Sequence, residues 1–539
     1  MRAGRTTTIG LVLAVAMSVP ATGAADPPRC EDLREVAVPG RVMGLPTSGG
    51  EVLDARTVAA SGPIGEHCRV TGAIHPVDPS APDIVFELAL PSEWNHRALM
   101  FGGGGYNGTV PAVEGTLPFG PPGDAGPLAS GFATFASDSG HQAAPDHEPT
   151  PSLDGSFGVN DEALRNFAGD ALKKTRDAAM YLLRQHYRVK PDRSYFAGGS
   201  TGGREGLAVA QRWPGDFDGV ISAYPAWNAA SLDLFFGHMA RALAAPEAFL
   251  DERDQALLYD SVVRACDGLD GATDGVISDA VGCDFDPKVL RCESGDGEGC
   301  LTPAQIEAAR AISSPLEFGY PVASGETGYP GFPVLSGANM NAGVLGFGTT
   351  APAEPMPTDA AYGAQFWDQW VRHFVTRDPD FGSLGLDPTR PGPWRERISE
   401  LTALQDVNEV DLRPFARRGG KLLLVHGTAD QLVSHRSTID YYQRMMSAMG
   451  AEAVEDFSRL YLVPGADHAN ANAAFAAGWD SLGALQRWVE GGHAPHDEVV
   501  TDVNPDARQR TRPLCEFPTW PRYDGTGSVD EAGSFSCVD

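Results

Sequence analysis

A serine between glycines, then an aspartate, then a histidine stand along this chain in the order that one kind of acyl transfer needs. Gly198-Gly199-Ser200-Thr201-Gly202 centres a hydroxyl in a G-x-S-x-G pentapeptide, Asp430 follows in Gly427-Thr428-Ala429-Asp430, and His468 ends Val463-Pro464-Gly465-Ala466-Asp467-His468. A serine hydroxyl is a poor nucleophile until a base takes its proton. An imidazole is that base, and a carboxylate must orient it and stabilise its charged form. Asp467 is a rival for the carboxylate, ranked below Asp430 because a neighbour of His468 points its side chain elsewhere. A tetrahedral intermediate also needs two backbone N–H donors, one from the residue after the nucleophile and one from an early glycine loop. Thr201 supplies the first, and Gly103 or Gly104 of Gly102-Gly103-Gly104-Gly105 the second. Each feature alone has a bland reading as a flexible turn or a solvated loop residue; their order and their setting do not.

Each group follows a segment of strand character. Arg193 to Ala197 is short, apolar and aromatic, and Gly202 to Arg212 reads as a helix. Ser200 therefore lies on a strand–turn–helix corner, the nucleophile elbow of α/β-hydrolases. Glycines there let strand and helix pass closely. Asp83 to Leu90, Arg97 to Phe101, Ala133 to Ala136, Asp216 to Ala223, Lys421 to Gly427 and Ser458 to Val463 have strand length and turn-rich flanks. Residues 26–60 read as an arm or edge strand. Asp161 to Tyr187, Ser437 to Met449 and Asn472 to Val489 carry helical periodicity. A strand–helix–strand order into the elbow predicts parallel pairing and a right-handed crossover. Between 226 and 404 the chain turns rich in Gly, Pro and acidic residues, with short helical pieces at Thr302 to Ile312 and Ala361 to Val375. The expected organisation is an α/β-hydrolase core over 26–225 and 405–539 with a lid domain inserted at 226–404.

Residues 1–25 read as an export signal: Arg2 and Arg5, an apolar run from Ile9 to Val19, then Gly23-Ala24-Ala25. The run is too short to span a bilayer, so a secreted protein, extracellular or periplasmic, is expected. Eight cysteines, all beyond that segment, fit an oxidising compartment, and their spacing alone leaves the pairing open. The net charge of −30 excludes nucleic acid and anionic membrane as partners; it is read as solubility. In Cys266-Asp267-Gly268-Leu269-Asp270-Gly271-Ala272-Thr273-Asp274-Gly275-Val276 three carboxylates would repel one another unless neutralised. Calcium does that in flexible oxygen geometry. Ser278 stands where an EF-hand would need its closing Glu, so the alternatives are a different calcium loop or a solvated acidic turn.

Taken together, these segments resemble the tannase/feruloyl esterase family, over most of the chain. The resemblance is carried by Trp94-Asn95, Gly102 to Gly105, Gly198 to Arg204, Trp213-Pro214-Gly215-Asp216-Phe217-Asp218-Gly219, the acidic loop through Ile277, Lys421 to Asp430 and Pro464 to His468. It implies secreted carboxylic-ester hydrolases with a lid that helps to bind an aromatic acyl group. It further implies a structural calcium held by the Asp267, Asp270 and Asp274 side chains and the Ala272 and Val276 carbonyls, no organic cofactor, and bridges Cys30–Cys68, Cys266–Cys283, Cys292–Cys300 and Cys515–Cys537. One departure is informative. The family's bridged cysteines beside the nucleophile and the histidine are here Gly199 and Ala469, which predicts a looser site with His468 held by packing and by Asp430. Phe366, Trp367, Trp370, Phe374 and Trp227 are candidates for stacking on a substrate ring, or for packing the lid itself, and Arg372 for meeting a carboxylate. The expected activity is hydrolysis of small aromatic esters (phenolic, hydroxycinnamic, galloyl or terephthaloyl, as in plant polyphenols or cell-wall esters) through an acyl-enzyme. The rivals are a general esterase, lipase or peptidase of the same fold, and a non-catalytic binding protein.

Overall fold

Continuous apolar runs between turn signals assemble into one ten-stranded sheet in a computed structural model. It describes Met1, Gly4 and residues 29–121, 123–293, 299–505, 507 and 509–539. Apart from Met1 and Gly4, the export segment expected over 1–25 lies outside the described residues. The strands are β1 (Ala37–Val38), β2 (Gly49–Val58), β3 (His67–His75), β4 (Ile84–Pro91), β5 (Arg97–Phe101), β6 (Ala133–Ser137), β7 (Arg193–Gly199), β8 (Gly219–Ala223), β9 (Lys421–Gly427) and β10 (Ser458–Val463). Their spatial order is β1-β2-β3-β4-β6-β5-β7-β8-β9-β10. Strands β1 to β4 pair antiparallel, as does β4 with β6, and the pairings from β6–β5 through β9–β10 are parallel. Side chains alternate faces along a strand. On β9, Leu422 and Leu424 join the core of one face with Phe196 and Leu460, while Leu423 and Val425 join the other with Tyr195 and Trp488. The fold is the α/β-hydrolase architecture that the elbow predicts.

The helices include α1 (Ala171–Tyr187), α2 (Thr201–Arg212), α3 (Ala229–Leu243), α4 (Tyr362–Gln369), α5 (Arg395–Gln405), α6 (His435–Met449) and α7 (Ser481–Gly491). Between β8 and β9 the chain builds its own aromatic core from Phe235, Phe332, Trp367, Trp370 and Phe374, onto which Tyr106, Leu432 and Val433 pack. The described cysteines form Cys30–Cys68, Cys266–Cys283, Cys292–Cys300 and Cys515–Cys537, leaving none free. Among the described residues no helix is long and apolar enough to cross a membrane.

One expectation is extended and three are corrected. The stretch 26–60 holds the edge strand β1 and also β2, a ten-residue strand paired on both sides. Strands β6 and β7 are not neighbours; β5 lies between them and pairs with both. The helix over Asp161 to Tyr187 is broken at Gly169, whose φ of 139° no helix accommodates. The helix expected from Asn472 begins only at Ser481, because 472–480 is held as loop and short strand. There the Asp502 carboxylate accepts the Ala476 N–H at 3.0 Å, and Phe475 and Trp479 are buried.

Candidate active site

Ser200 ends β7 and starts α2 with φ 58° and ψ −122°, a conformation few L-residues adopt. Backbone bonds hold it there: its N–H donates to the Ala223 carbonyl and its carbonyl accepts from Arg204 N–H, both at 3.0 Å. Glycine is needed alongside for space, since a Cβ on Gly102 would lie 2.6 Å from the Gly202 Cα. The elbow and the glycine loop are tied together. Gly202 N–H donates to the Gly103 carbonyl at 3.0 Å, and the Thr201 hydroxyl to the Gly105 carbonyl at 2.7 Å.

Asp430 and His468 follow β9 and β10, and both reach the elbow's end of the sheet. His468 Nδ1 lies 2.9 Å from Asp430 Oδ2 and 3.2 Å from Oδ1. Asp430 is wholly buried, and its Oδ1 accepts the Leu432 and Val433 N–H groups at 2.8 and 2.7 Å. Burial alone would raise this carboxyl. The charge of His468 and the hydrogen bonds from His426 and His468 win, holding it well below the usual carboxylate range. Asp467 is placed differently: its Oδ2 accepts Asn472 N–H at 2.6 Å and Gln431 Nε2 at 3.4 Å. Gln431 in turn accepts the His468 N–H at 3.2 Å, so Asp467 secures the loop rather than the imidazole. Burial raises the Asp467 carboxyl to about 6, with nearby Asp430 adding to the shift. The Ser200 hydroxyl makes no hydrogen bond among the described residues. Serine–histidine bonds of this kind often tighten only once substrate is bound.

The two glycine candidates for the second N–H donor separate. Gly103 N–H is already spent on Glu205 Oε2 at 2.9 Å, so this residue is corrected to a structural role. Gly104 N–H and Thr201 N–H donate to no group among the described residues, and no atom lies within 4 Å of where a Gly104 Cβ would be. Glu205 was missed in the sequence. Its carboxylate also accepts Asn107 Nδ2 at 2.8 Å, and it is buried between α2 and the glycine loop. The available signal was a charged residue inside a Gly- and Ala-rich helix face that must pack on a sheet. Glu205→Gln is expected to lower kcat by about 10²-fold with little change in KM, because a displaced glycine loop misaims an oxyanion donor. Steady-state kinetics beside a circular dichroism melt checks this; an unchanged kcat would contradict it.

Tyr224 was also missed. It follows β8 with φ 33°, and its ring stands 4.8 Å from that of His468 in an edge-on arrangement. A Cβ on Gly199 would lie 2.4 Å from the Tyr224 hydroxyl and 2.5 Å from Cζ. The space a side chain at Gly199 would need is thus filled by an aromatic ring that packs against the His468 imidazole. Gly199→Ala is expected to cost about 1–3 kcal/mol by overpacking, and that cost is expected to vanish in a Tyr224→Ala background. Additive melting shifts across this double-mutant cycle would contradict the contact.

Other expectations fare differently. The acidic loop spends its carboxylates on its own backbone and on an arginine. Asp267 Oδ1 accepts the Asp274 and Gly275 N–H groups, Asp270 those of Ala272 and Ser278, and Asp274 pairs with Arg512. Among the described residues no group of three His, Cys, Asp or Glu side chains could hold a metal ion, so calcium at Asp267, Asp270, Ala272, Asp274 and Val276 has no support in this geometry. Trp227, Trp367, Trp370 and Phe374 are fully buried, the tryptophan N–H groups satisfied by Ser437, Ser383 and Gln405 oxygens. They pack the interior; Phe366 alone of that set lines the cavity beside Ser200. Arg372 is engaged by Asp368 and the Pro379 carbonyl.

Comparison with known proteins gives the chain's family. The family model described as tannase and feruloyl esterase matches residues 68–538. An uncharacterized esterase of Agrobacterium fabrum is 37% identical over 95% of this chain and 93% of its own length. Mono(2-hydroxyethyl) terephthalate hydrolase of Piscinibacter sakaiensis is 30% identical over 90% of this chain and 87% of its own. The crystal structure of feruloyl esterase B from Aspergillus oryzae superposes with a TM-score of 0.76 at 24% identity, covering 94% of this chain and 99% of that one, a likeness of fold. The chain belongs to the tannase and feruloyl esterase family and is a carboxylic ester hydrolase.

Proposed function

We propose that the protein is a secreted serine hydrolase of esters of aromatic acids, working through an acyl-enzyme. The reading rests on one observation: the cavity that opens at Ser200 is walled by Tyr106, Phe167, Phe236 and Phe366, with Leu232, Leu432 and Val433 completing an apolar slot. Aromatic walls suit a planar ring better than a flexible alkyl chain. Ser200 Oγ attacks the ester carbonyl while His468 Nε2 takes its proton. Asp430, bonded to Nδ1, stabilises the imidazolium. Gly104 and Thr201 N–H groups receive the oxyanion, the imidazolium protonates the departing alcohol, and water activated by the same histidine releases the acid. Relatives named as feruloyl esterases and as a terephthalate monoester hydrolase support an aromatic acyl group. The four disulfides and the apolar run behind Arg2 and Arg5 support export. The segment 226–404, packed over the site, is read as a lid.

The test is a panel of feruloyl, galloyl and terephthaloyl esters set against alkanoyl esters of the same alcohol, long chains included. Aromatic acyl groups are expected to give kcat/KM about tenfold higher or more. Equal or faster turnover of long-chain esters would overturn the aromatic assignment.

A further inference from the structure

The apolar slot beside Ser200 contains two buried polar side chains, Asp233 and Gln405. Asp233, on α3, lines the cavity and is only 5% exposed. The Tyr106 hydroxyl beside its carboxyl donates to the Phe366 carbonyl at 3.0 Å. The nearest cation, Arg204, directs its guanidinium to the Phe167 and Gln405 carbonyls at 2.9 and 3.4 Å. Gln405, at the end of α5, lines the same cavity and is fully buried. Its Oε1 accepts Trp370 Nε1–H at 3.0 Å, which fixes the orientation of the amide, and its Nε2 has no partner among the described residues. A buried donor without a partner is costly, and here it borders the cavity at Ser200. Asp406, next in sequence, is not available to it, being engaged with Ala230 N–H and the Ser231 hydroxyl.

We propose that Asp233 and Gln405 form a donor–acceptor pair that reads a hydroxyl group on the ring of the bound acyl moiety. The proposal rests on the aromatic-ester reading above and narrows it to hydroxylated aromatic acids. A phenolic hydroxyl both donates and accepts. It meets the orphan Gln405 N–H with its oxygen and the Asp233 carboxyl with its proton. Burial, with Asp406 nearby, pushes the Asp233 carboxyl well above the ordinary range, and a neutral acid suits a neutral phenol. An unsubstituted ring leaves Gln405 Nε2 unpaired. A ring carboxylate, as in a terephthaloyl monoester, would bury an anion in a slot whose described lining holds no cation.

The experiment compares kcat/KM for para-hydroxybenzoate, benzoate and monoterephthalate esters of one alcohol, read as ratios within each enzyme so that a general loss of activity cancels. Wild type is expected to prefer the hydroxylated ester by about tenfold or more over each of the others. Asp233→Leu is expected to reduce that preference to about twofold or less, and Asp233→Asn, which keeps a donor and an acceptor, to retain most of it. A wild-type preference for the terephthalate monoester, no wild-type preference, or an undiminished preference in Asp233→Leu would each overturn the proposal. Should Asp233→Leu not fold, the wild-type ratios still decide. Failure to cleave any of the three esters would instead overturn the aromatic-ester reading on which the pair depends.

Discussion

Ser200→Ala is expected to lower kcat/KM for an activated aryl ester by about 10⁴-fold or more, with the melting temperature unchanged. The reasoning is chemical. Without Oγ no bond to the acyl carbon can form on the enzyme, and what remains is the oxyanion site and binding, typically worth about 10³–10⁴-fold over water. The stability expectation follows from conformation: alanine at φ 58° and ψ −122° carries the same backbone strain as the serine it replaces, and among the described residues the serine hydroxyl has no hydrogen bond to lose. Retention of more than a tenth of wild-type activity would mean that another group attacks.

Asp430→Asn is expected to cost about 10⁴-fold in kcat near neutral pH. Asp430 Oδ1 already receives the Leu432 and Val433 N–H groups, so the amide oxygen of an asparagine would stay there. Its NH₂ would then face His468 Nδ1, donor against donor, and force the proton onto Nε2, where Ser200 needs an acceptor. Asp467→Asn is the control. Asp467 is bonded to Asn472 and Gln431, and its loss is expected to cost about tenfold or less. The reverse ranking, with Asp467→Asn the more damaging, would transfer the orienting role to Asp467.

What the sequence made legible was whatever depends on short local patterns. A strand, a glycine corner and a helix announce Ser200 because the backbone strain there demands those residues in that order. Asp430 and His468 were visible because each sits in a short loop after an unmistakably apolar strand. Strand order was not legible: β5 slips between β6 and β7 because the chain crosses over and returns, and nothing local to either strand records that. Glu205, Tyr224, Gln431 and Asp233 were hidden for a related reason. Each acts across 30 or more residues of chain, on Gly103, His468, Asp467 and Tyr106 respectively, so no spacing rule marks it. The aromatic stripe from Phe366 to Phe374 shows the opposite error, a conspicuous pattern mostly absorbed by packing. The looser site expected from Gly199 and Ala469 is filled beside Gly199 by the Tyr224 ring.

The central claim is that the acyl group passes through a covalent bond to Ser200. Acid quenching during turnover of a slowly deacylating aromatic ester, followed by peptide mass spectrometry, tests it directly. One acyl group per chain is expected on the peptide containing Ser200, accumulating before the steady state and absent in Ser200→Ala. Undiminished ester cleavage with no adduct, or with the adduct on a different residue, would contradict it.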